Sequence, residues 1–222
     1  MNPYEVQIRD RARIHTVYKL RDGTRVPSVT EVLDELAKPY LVDWAWKLGT
    51  EGINYKDIQE QYSNVGTLAH AMIHAYIKKK EILEVTGYSN PVFSLANMAS
   101  LSFLAWEKDY KVVILQSEMP LVSGILKYGG TLDLLASING KVTLVDFKTG
   151  PLIYPVHFVQ LAGYQHLVSV NFPDINIERF MIVNLDRNET GYTVKTKHSL
   201  LNEWKRFLAA LQICKLRKEI EK

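Results

Sequence analysis

The sequence predicts a mixed α/β fold of the α+β type, in which helices flank a central mixed β-sheet. Apolar residues recur at helical spacing over residues 66–80 and again over residues 95–111. From residue 111 the pattern changes to three consecutive segments rich in β-branched and apolar residues, which are typical of strands. A helical segment, two further strands and an amphipathic final helix follow. This order of elements is typical of a sheet domain with helices packed on it.

The first 60 residues predict a short hairpin and two short helices. Asp22-Gly23 separates two alternating segments and suits the positive-φ positions of a type I′ turn. Ser28 and Glu31 have the spacing of a capping box, so a helix is expected to begin there and to end before Pro39. A second short helix is expected near residue 45.

Three strands are expected in the centre of the chain, at residues 111–123, 127–138 and 141–149. Turn signals lie between them at Ser123-Gly124 and Asn139-Gly140. The pattern then predicts a helix at 155–170, strands at 178–185 and 192–198, and a helix at 200–222.

Length and composition favour one folded domain. The chain has 222 residues, of which 47% are hydrophobic and 23% charged, a balance that excludes disordered and collagen-like chains. No repeat or linker interrupts the chain, so we expect a single domain over residues 1–222. Residues 1–60 would form an appendage to a core at about 61–222.

Charge and cysteine content exclude some classes of site. A net charge of +3 is too small to identify a partner. Cys214 is the only cysteine, which excludes an internal disulfide and a four-cysteine zinc or iron–sulfur site. No segment approaches the ~20 consecutive apolar residues of a membrane span. A soluble, intracellular protein is therefore expected.

The turn at Asn139-Gly140 brings two carboxylates together. A two-residue type I′ turn sets the register of its strands, so residues whose numbers add to 279 lie opposite each other and Asp133 faces Asp146. Their Cβ atoms are then about 4.5–5.5 Å apart. Lys148 follows Asp146 by two residues and therefore projects from the same face.

Like charges placed opposite each other destabilise a sheet, so a cation is expected between them. Lys148 could neutralise one charge. A pair of carboxylates is also the oxygen site that Mg²⁺ or Mn²⁺ prefers. Alternatively, the hairpin end is exposed, the acids diverge into solvent and Lys148 forms a surface ion pair.

Three other positions have two interpretations each. His70 and His74 have the i, i+4 spacing of zinc ligands, but no glutamate follows His70 as a zinc peptidase requires, and His74 suits a packing role. Glu118 shares a face with Asp133 if Ser123-Gly124 closes a two-residue turn; otherwise it is an exposed strand acid. Gln160 and Tyr164 lie one helical turn apart, where Tyr164 could also be an ordinary core residue.

Together these motifs resemble the PD-(D/E)xK nuclease superfamily, in its RecB-like exonuclease branch. The strings GGTLD and VDFKTG contain Asp133, Asp146 and Lys148, and the upstream GTLAH segment contains Thr67 and His70. Glu118 and a Q-x-x-x-Y helix complete the ordered set over residues 66–164. The N-terminal part is similar to phage-encoded and mitochondrial genome-maintenance exonucleases. The resemblance implies a restriction-endonuclease-like core.

The resemblance also implies a role for each matching residue. Asp133, Asp146, the backbone carbonyl of Phe147 and His70 would bind the metal, and Glu118 would be a further catalytic acid. Lys148 would orient the attacking water. The residues that would contact substrate are Thr67, Thr149, Gln160 and Tyr164.

The function implied is a Mg²⁺- or Mn²⁺-dependent DNA exonuclease without an iron–sulfur cluster, acting on DNA ends or single strands in recombination, repair or replication. The cytoplasm of a bacterium or phage-infected cell is the expected location. A single-strand-binding or recombination protein is a candidate partner, and the oligomeric state is open. The alternatives are a structure-specific endonuclease on the same fold and a nucleic-acid-binding protein that does not cleave.

Overall fold

A computed structural model describes residues 16–79 and 88–221. The start of the predicted hairpin at residues 13–15, Lys80 at the end of a predicted helix, and Lys222 lie outside them. The helices are α1 (Val29–Leu33), α2 (Pro39–Thr50), α3 (Tyr55–Ile77), α4 (Asn90–Tyr110), α5 (Pro155–Asn171) and α6 (Leu201–Ile220). The strands are β1 (Tyr18–Lys19), β2 (Arg25–Val26), β3 (Val113–Ser123), β4 (Tyr128–Ile138), β5 (Lys141–Lys148), β6 (Arg179–Leu185) and β7 (Tyr192–Lys197).

The central sheet is mixed, as predicted. Its strand order is β3-β4-β5-β6-β7, with β5 and β6 parallel and the other neighbours antiparallel. Strands β1 and β2 form a separate two-stranded sheet. The parallel pair is joined through α5, which gives the crossover that parallel strands require.

Hydrophobic clusters cover both faces of the sheet. The first cluster joins the sheet to α1, α5 and α6 and includes Val32, Leu161 and Phe207. The second joins the sheet to α3 and α4 and includes Leu68 and Trp106. The prediction of a central sheet flanked by helices is therefore confirmed. None of the helices in the described part of the chain is long and apolar enough to span a membrane.

Two local predictions are confirmed in atomic detail. The Ser28 hydroxyl oxygen accepts the Glu31 N–H at 3.0 Å, and the Glu31 carboxylate accepts the Ser28 N–H at 3.3 Å, so the capping box begins α1. Asn139 and Gly140 have φ values of +53° and +75°, as a type I′ turn requires.

The opening hairpin has a longer loop than predicted. Tyr18 pairs with Val26, and the Leu20 N–H donates to the Thr24 carbonyl at 2.8 Å. The loop therefore has three residues, 21–23, with a positive φ of +82° at Gly23. Three-residue loops place a glycine in the left-handed region at this last position, so the dipeptide marks the turn but not its length.

The connection between β3 and β4 also differs from the prediction. Ser123 pairs with Tyr128, so residues 124–127 form a four-residue turn instead of a two-residue turn at Ser123-Gly124. The difference shifts the register by four residues. Because four is even, the residues of β3 keep the faces that the shorter turn would give them.

Glycine is required where β4 passes beneath aromatic rings. A Cβ atom at Gly129 would lie 2.5 Å from the Tyr18 ring, and one at Gly130 would lie 2.7 Å from the Tyr164 ring and 2.8 Å from Val29. The two glycines therefore allow close packing of side chains on the sheet.

We expect Gly130→Ala to destabilise the protein by about 1–3 kcal/mol, because the added methyl group must displace Tyr164 or Val29 from a packed core. Gly124→Ala is the matched control, since a Cβ there meets nothing within 4 Å. Urea unfolding of both variants measures the difference. Equal urea midpoints for Gly130→Ala, Gly124→Ala and the parent would contradict the claim that packing against Tyr164 and Val29 requires a glycine at position 130.

Candidate functional site

The β4–β5 hairpin carries Asp133 and Asp146 on neighbouring strands. The two strands pair Leu134 with Val145, Leu135 with Leu144 and Ile138 with Lys141. Each pair adds to 279, which is the register predicted from the turn, and the pairing ends at Leu134 and Val145, next to the two aspartates. The predicted register is confirmed.

Asp133 has contacts on two sides. Its Oδ2 accepts the backbone N–H of Phe147 at 2.8 Å, and its Oδ1 lies 3.5 Å from Nδ1 of His70. Its side chain is only 11% exposed. The carboxylate is therefore held between the neighbouring strand β5 and helix α3.

Glu118 on β3 lies opposite Asp133 on the neighbouring strand β4. The pairs on either side, Met119 with Leu132 and Ser117 with Leu134, put it at the position facing that aspartate. Its Oε1 lies 3.5 Å from Nδ1 of His70. Glu118 and Asp133 thus reach the same histidine, as expected of acids that share a face, although the turn between their strands differs from the predicted one.

The strands change face at this point. Glu118 has a φ of +46°, a value that is rare for a residue other than glycine. On the paired strand, Leu132 belongs to the first hydrophobic cluster and Leu134 to the second, although residues two apart in a regular strand share a face. The two acids therefore lie at a break in the alternation, where residues on both sides of the sheet can be reached.

His70 reaches the acids from α3. Gly66 on the same helix lies so close to the loop after β5 that a Cβ there would be 3.4 Å from the Thr149 hydroxyl. The His70 ring makes an edge contact with Phe147, with centroids 6.3 Å apart. Close approach of the helix at Gly66 thus brings the imidazole over the β4–β5 hairpin.

His70, Glu118 and Asp133 form a compact set of possible ligands, with one ligand atom of each lying within 4.8 Å of the others. Burial by itself would lower the pKa of His70, but the negative charges of Asp133 and Glu118 outweigh it and raise that pKa to about 9. The strength of this opposing effect indicates a concentrated negative potential that favours cations.

Asp146 is fully buried. Burial and the nearby Asp133 raise its pKa to about 7 although the Lys148 ammonium acts to lower it. Lys148 Nζ lies 2.6 Å from Oδ2 in an ion pair. The other oxygen, Oδ1, has no hydrogen-bond partner among the described residues. A buried carboxylate oxygen normally has such a partner, so Oδ1 is suited to a cation.

Lys148 is braced by α5. Its Nζ donates to Gln160 Oε1 at 3.0 Å, and Gln160 Nε2 donates to the Tyr164 hydroxyl at 3.0 Å. Gln160 and Tyr164 are both buried. The two residues predicted to lie on one helix face therefore form a chain of hydrogen bonds that ends at the lysine.

The two threonines are placed differently. Thr149 is buried directly after Lys148, beside Gly66. Thr67 donates its hydroxyl to the Ser63 carbonyl at 2.9 Å, a bond within α3. His74 lies 3.2 Å from the Ser117 hydroxyl, outside the compact ligand set.

Arg187 was not identified from the sequence. Its guanidinium donates to the Thr149 carbonyl at 3.0 Å and lies 3.7 Å from the centroid of the Tyr62 ring. No motif surrounds it. Its place beside the Lys148 strand depends on the parallel pairing of β5 and β6, which a single sequence does not specify.

No family model and no curated protein matches the chain. Among solved structures, it is similar to a candidate exonuclease from Eubacterium rectale, with 15% identity and a TM-score of 0.45 over 71% of this chain and 65% of that one. The chain thus spans slightly less than two thirds of that protein.

The chain is also similar to the alkaline exonuclease LHK-Exo from Laribacter hongkongensis, with 11% identity and a TM-score of 0.43 over 87% of this chain and 89% of that one. For LHK-Exo in complex with dAMP the identity is 12% and the TM-score 0.47, over 88% and 90% of the two chains. All three likenesses are distant, so they do not establish a function for this chain.

Proposed function

We propose that this chain is a DNA nuclease that hydrolyses phosphodiester bonds with the help of Mg²⁺ or Mn²⁺. One observation carries the proposal: the fully buried Asp146, whose Oδ1 has no hydrogen-bond partner among the described residues, forms an ion pair with Lys148 on the strand next to Asp133, which belongs to the set of His70, Glu118 and Asp133. A purely structural protein gains nothing from three acids so close together, because their mutual repulsion destabilises the fold.

The residues present fit a divalent metal. Carboxylate oxygens are the donors that Mg²⁺ and Mn²⁺ prefer, and Oδ1 of Asp146 has no hydrogen-bond partner in the described structure. Asp133, Asp146 and the Phe147 carbonyl would hold the ion, with His70 and Glu118 completing the site. When bound, such an ion lowers the pKa of a water molecule and offsets charge on the phosphate.

Lys148 would act on the water and the phosphate. Its ammonium lies between Asp146 and Gln160 with one N–H left to donate, since an ammonium has three. That donor would orient the attacking water or bind a phosphate oxygen. Gln160 and Tyr164 would act through Lys148 by restricting the direction in which it can point.

Within this function, we propose an exonuclease that acts on DNA ends or single strands in recombination, repair or replication. Lys148 and Glu118 lie near the surface, since their side chains keep 22% and 30% of their surface exposed. A DNA strand could therefore approach the lysine without passing through the core.

Metal binding is expected to raise the thermal midpoint of the parent protein in Mn²⁺ relative to chelator, because a ligand that binds only the folded state stabilises it. At 100 times the dissociation constant this amounts to about 2.7 kcal/mol. Asp133→Asn should lose most of the increase. The control Asp109→Asn removes an exposed acid that accepts a hydrogen bond from Tyr192, and it should keep the parent's increase in thermal midpoint. An unchanged midpoint for the parent at millimolar Mn²⁺ would contradict the metal site.

Cleavage of labelled DNA tests the activity. We expect mononucleotides or short products from end-labelled single- or double-stranded oligonucleotides in Mg²⁺ or Mn²⁺, and little cutting of covalently closed circles. Efficient cutting of circles would instead support the structure-specific endonuclease. Absence of cleavage on every substrate, with binding retained, would leave the non-cleaving DNA-binding protein.

A further inference from the structure

Arg187 emerges at the same edge of the sheet as Lys148. In the parallel pair β5–β6, Lys148 is aligned with Asn184, and both strands run toward the same edge of the sheet at these residues. Arg187 follows the aligned asparagine by three residues. The carboxyl ends of parallel strands form the edge at which open sheets bind ligands, and Arg187 lies at that edge.

Two contacts orient the Arg187 guanidinium. One N–H group donates to the Thr149 carbonyl at 3.0 Å, directly after Lys148, and the Tyr62 ring lies 3.7 Å below the guanidinium carbon. Neither partner carries a negative charge. A guanidinium has five N–H donors, so most of them remain available for a ligand.

Acids lie near Arg187 in sequence but do not pair with it. No ion pair to Arg187 occurs in residues 16–79 and 88–221, although Asp186 and Glu189 belong to the same loop. Asp186 Oδ1 instead accepts the backbone N–H of Asn188 at 2.8 Å. By contrast, Arg217 on α6 pairs with Glu35 at 2.7 Å. The guanidinium of Arg187 is therefore not engaged in an ion pair within the described residues.

A cavity of about 500 Å³ adjoins this residue. Its wall includes Thr149, Asn184 and Arg187, together with the acids Asp186 and Glu189. Asn184 Oδ1 is buried there and has no hydrogen-bond partner in the described structure. The space is large enough for a phosphate and its sugar.

We propose that Arg187 binds a backbone phosphate of the DNA strand, next to the bond that is cleaved. The inference rests on the proposed function for its substrate. A planar guanidinium matches two phosphate oxygens, and one that is already oriented by Tyr62 and Thr149 loses little freedom on binding. Lys148 and Arg187 would then hold neighbouring parts of one strand.

The test is the salt dependence of DNA binding in chelator, where hydrolysis cannot occur. Fluorescence anisotropy with a labelled single-stranded oligonucleotide gives the binding constant between 50 and 300 mM salt. For Arg187→Gln we expect a binding constant about 10-fold lower and a log–log salt slope smaller by about 0.7, the change for one phosphate contact. Arg206→Gln, which removes the same charge from exposed α6, should leave both unchanged.

Arg187→Lys separates charge from geometry. Because lysine keeps the charge but lacks the planar fork, its salt slope should equal the parent's while its binding constant falls about threefold. If Arg187→Gln does not fold, Arg187→Lys still tests whether Arg187 binds a phosphate. A binding constant for Arg187→Lys equal to the parent's would overturn the inference. Circular dichroism and thermal unfolding establish which variants are folded.

The inference would also be overturned if Arg187→Gln had the salt slope and affinity of Arg206→Gln. It would be overturned if Arg187→Gln had a lower kcat with unchanged KM and salt slope, or if the parent showed no measurable binding. The lower kcat would mark Arg187 as a structural brace of the Thr149 loop. Cleavage in Mn²⁺ is measured in parallel. If the parent binds DNA but does not cleave it, only the nuclease proposal is contradicted. If the parent cleaves DNA and Arg187→Gln has the parent's salt slope, only the Arg187 proposal is contradicted.

Discussion

Asp146→Asn is expected to abolish metal-dependent cleavage, with a fall in kcat of about 10³-fold or more. The amide keeps the shape of the side chain but removes the charge that would hold a cation, and a loss of about 4 kcal/mol of stabilisation corresponds to that factor. Single-turnover cleavage of an end-labelled oligonucleotide measures it. Binding of the oligonucleotide in chelator should change less than about threefold, because Asp146 is buried and does not meet the DNA.

The matched control is Asp109→Asn, the same chemical change at an exposed acid of α4 that accepts a hydrogen bond from Tyr192. Its cleavage rate should equal the parent's. Asp146→Asn should also be at least as stable as the parent without metal, because burying a neutral amide costs less than burying a carboxylate. Parental cleavage by Asp146→Asn would refute the proposed metal site.

Lys148→Met is expected to lower kcat by about 10²–10⁴-fold, the range for a group that positions or transfers a proton in the reaction. Methionine keeps the length of the side chain but cannot donate to a water, a phosphate or Gln160. Affinity for DNA in chelator should fall much less. Lys205→Met, which removes an exposed cation from α6, is the control and should cleave normally.

Stability provides a second measurement on the same variant. Lys148→Met leaves Asp146 buried without its cation, which costs about 3 kcal/mol of unfolding free energy. Adding Asp146→Asn to it should restore most of that loss, since the double variant buries no charge. Equal stability of the parent, the single and the double variants in urea would show that Lys148 and Asp146 are not coupled.

Local stereochemistry explains why one half of the candidate site could be predicted. The type I′ geometry of Asn139-Gly140 depends on residues that tolerate positive φ, and it sets the register of β4 and β5 up to the Leu134–Val145 pair, next to the two aspartates. The capping box at Ser28 and Glu31 is equally local. In each case the interacting groups lie within a few residues of the turn or helix end that positions them.

Loop length and strand irregularity could not be predicted in the same way. The β3–β4 turn contains no dipeptide that requires a two-residue loop, and four residues connect the strands. The positive φ of Glu118 and the change of face in β4 depend on how the strands bend between the two hydrophobic clusters. A period-2 pattern assumes a regular strand and cannot indicate where it breaks.

By itself, the sequence determined that Asp133, Asp146 and Lys148 share one hairpin, because turn chemistry and alternation act over a few residues. Only the tertiary structure decided that His70 and Glu118 join Asp133, that Gln160 and Tyr164 brace Lys148, and that Arg187 lies at the same edge of the sheet. These residues come from different helices and strands. Burial of apolar side chains sets the packing of those elements, and it acts between positions far apart in the chain.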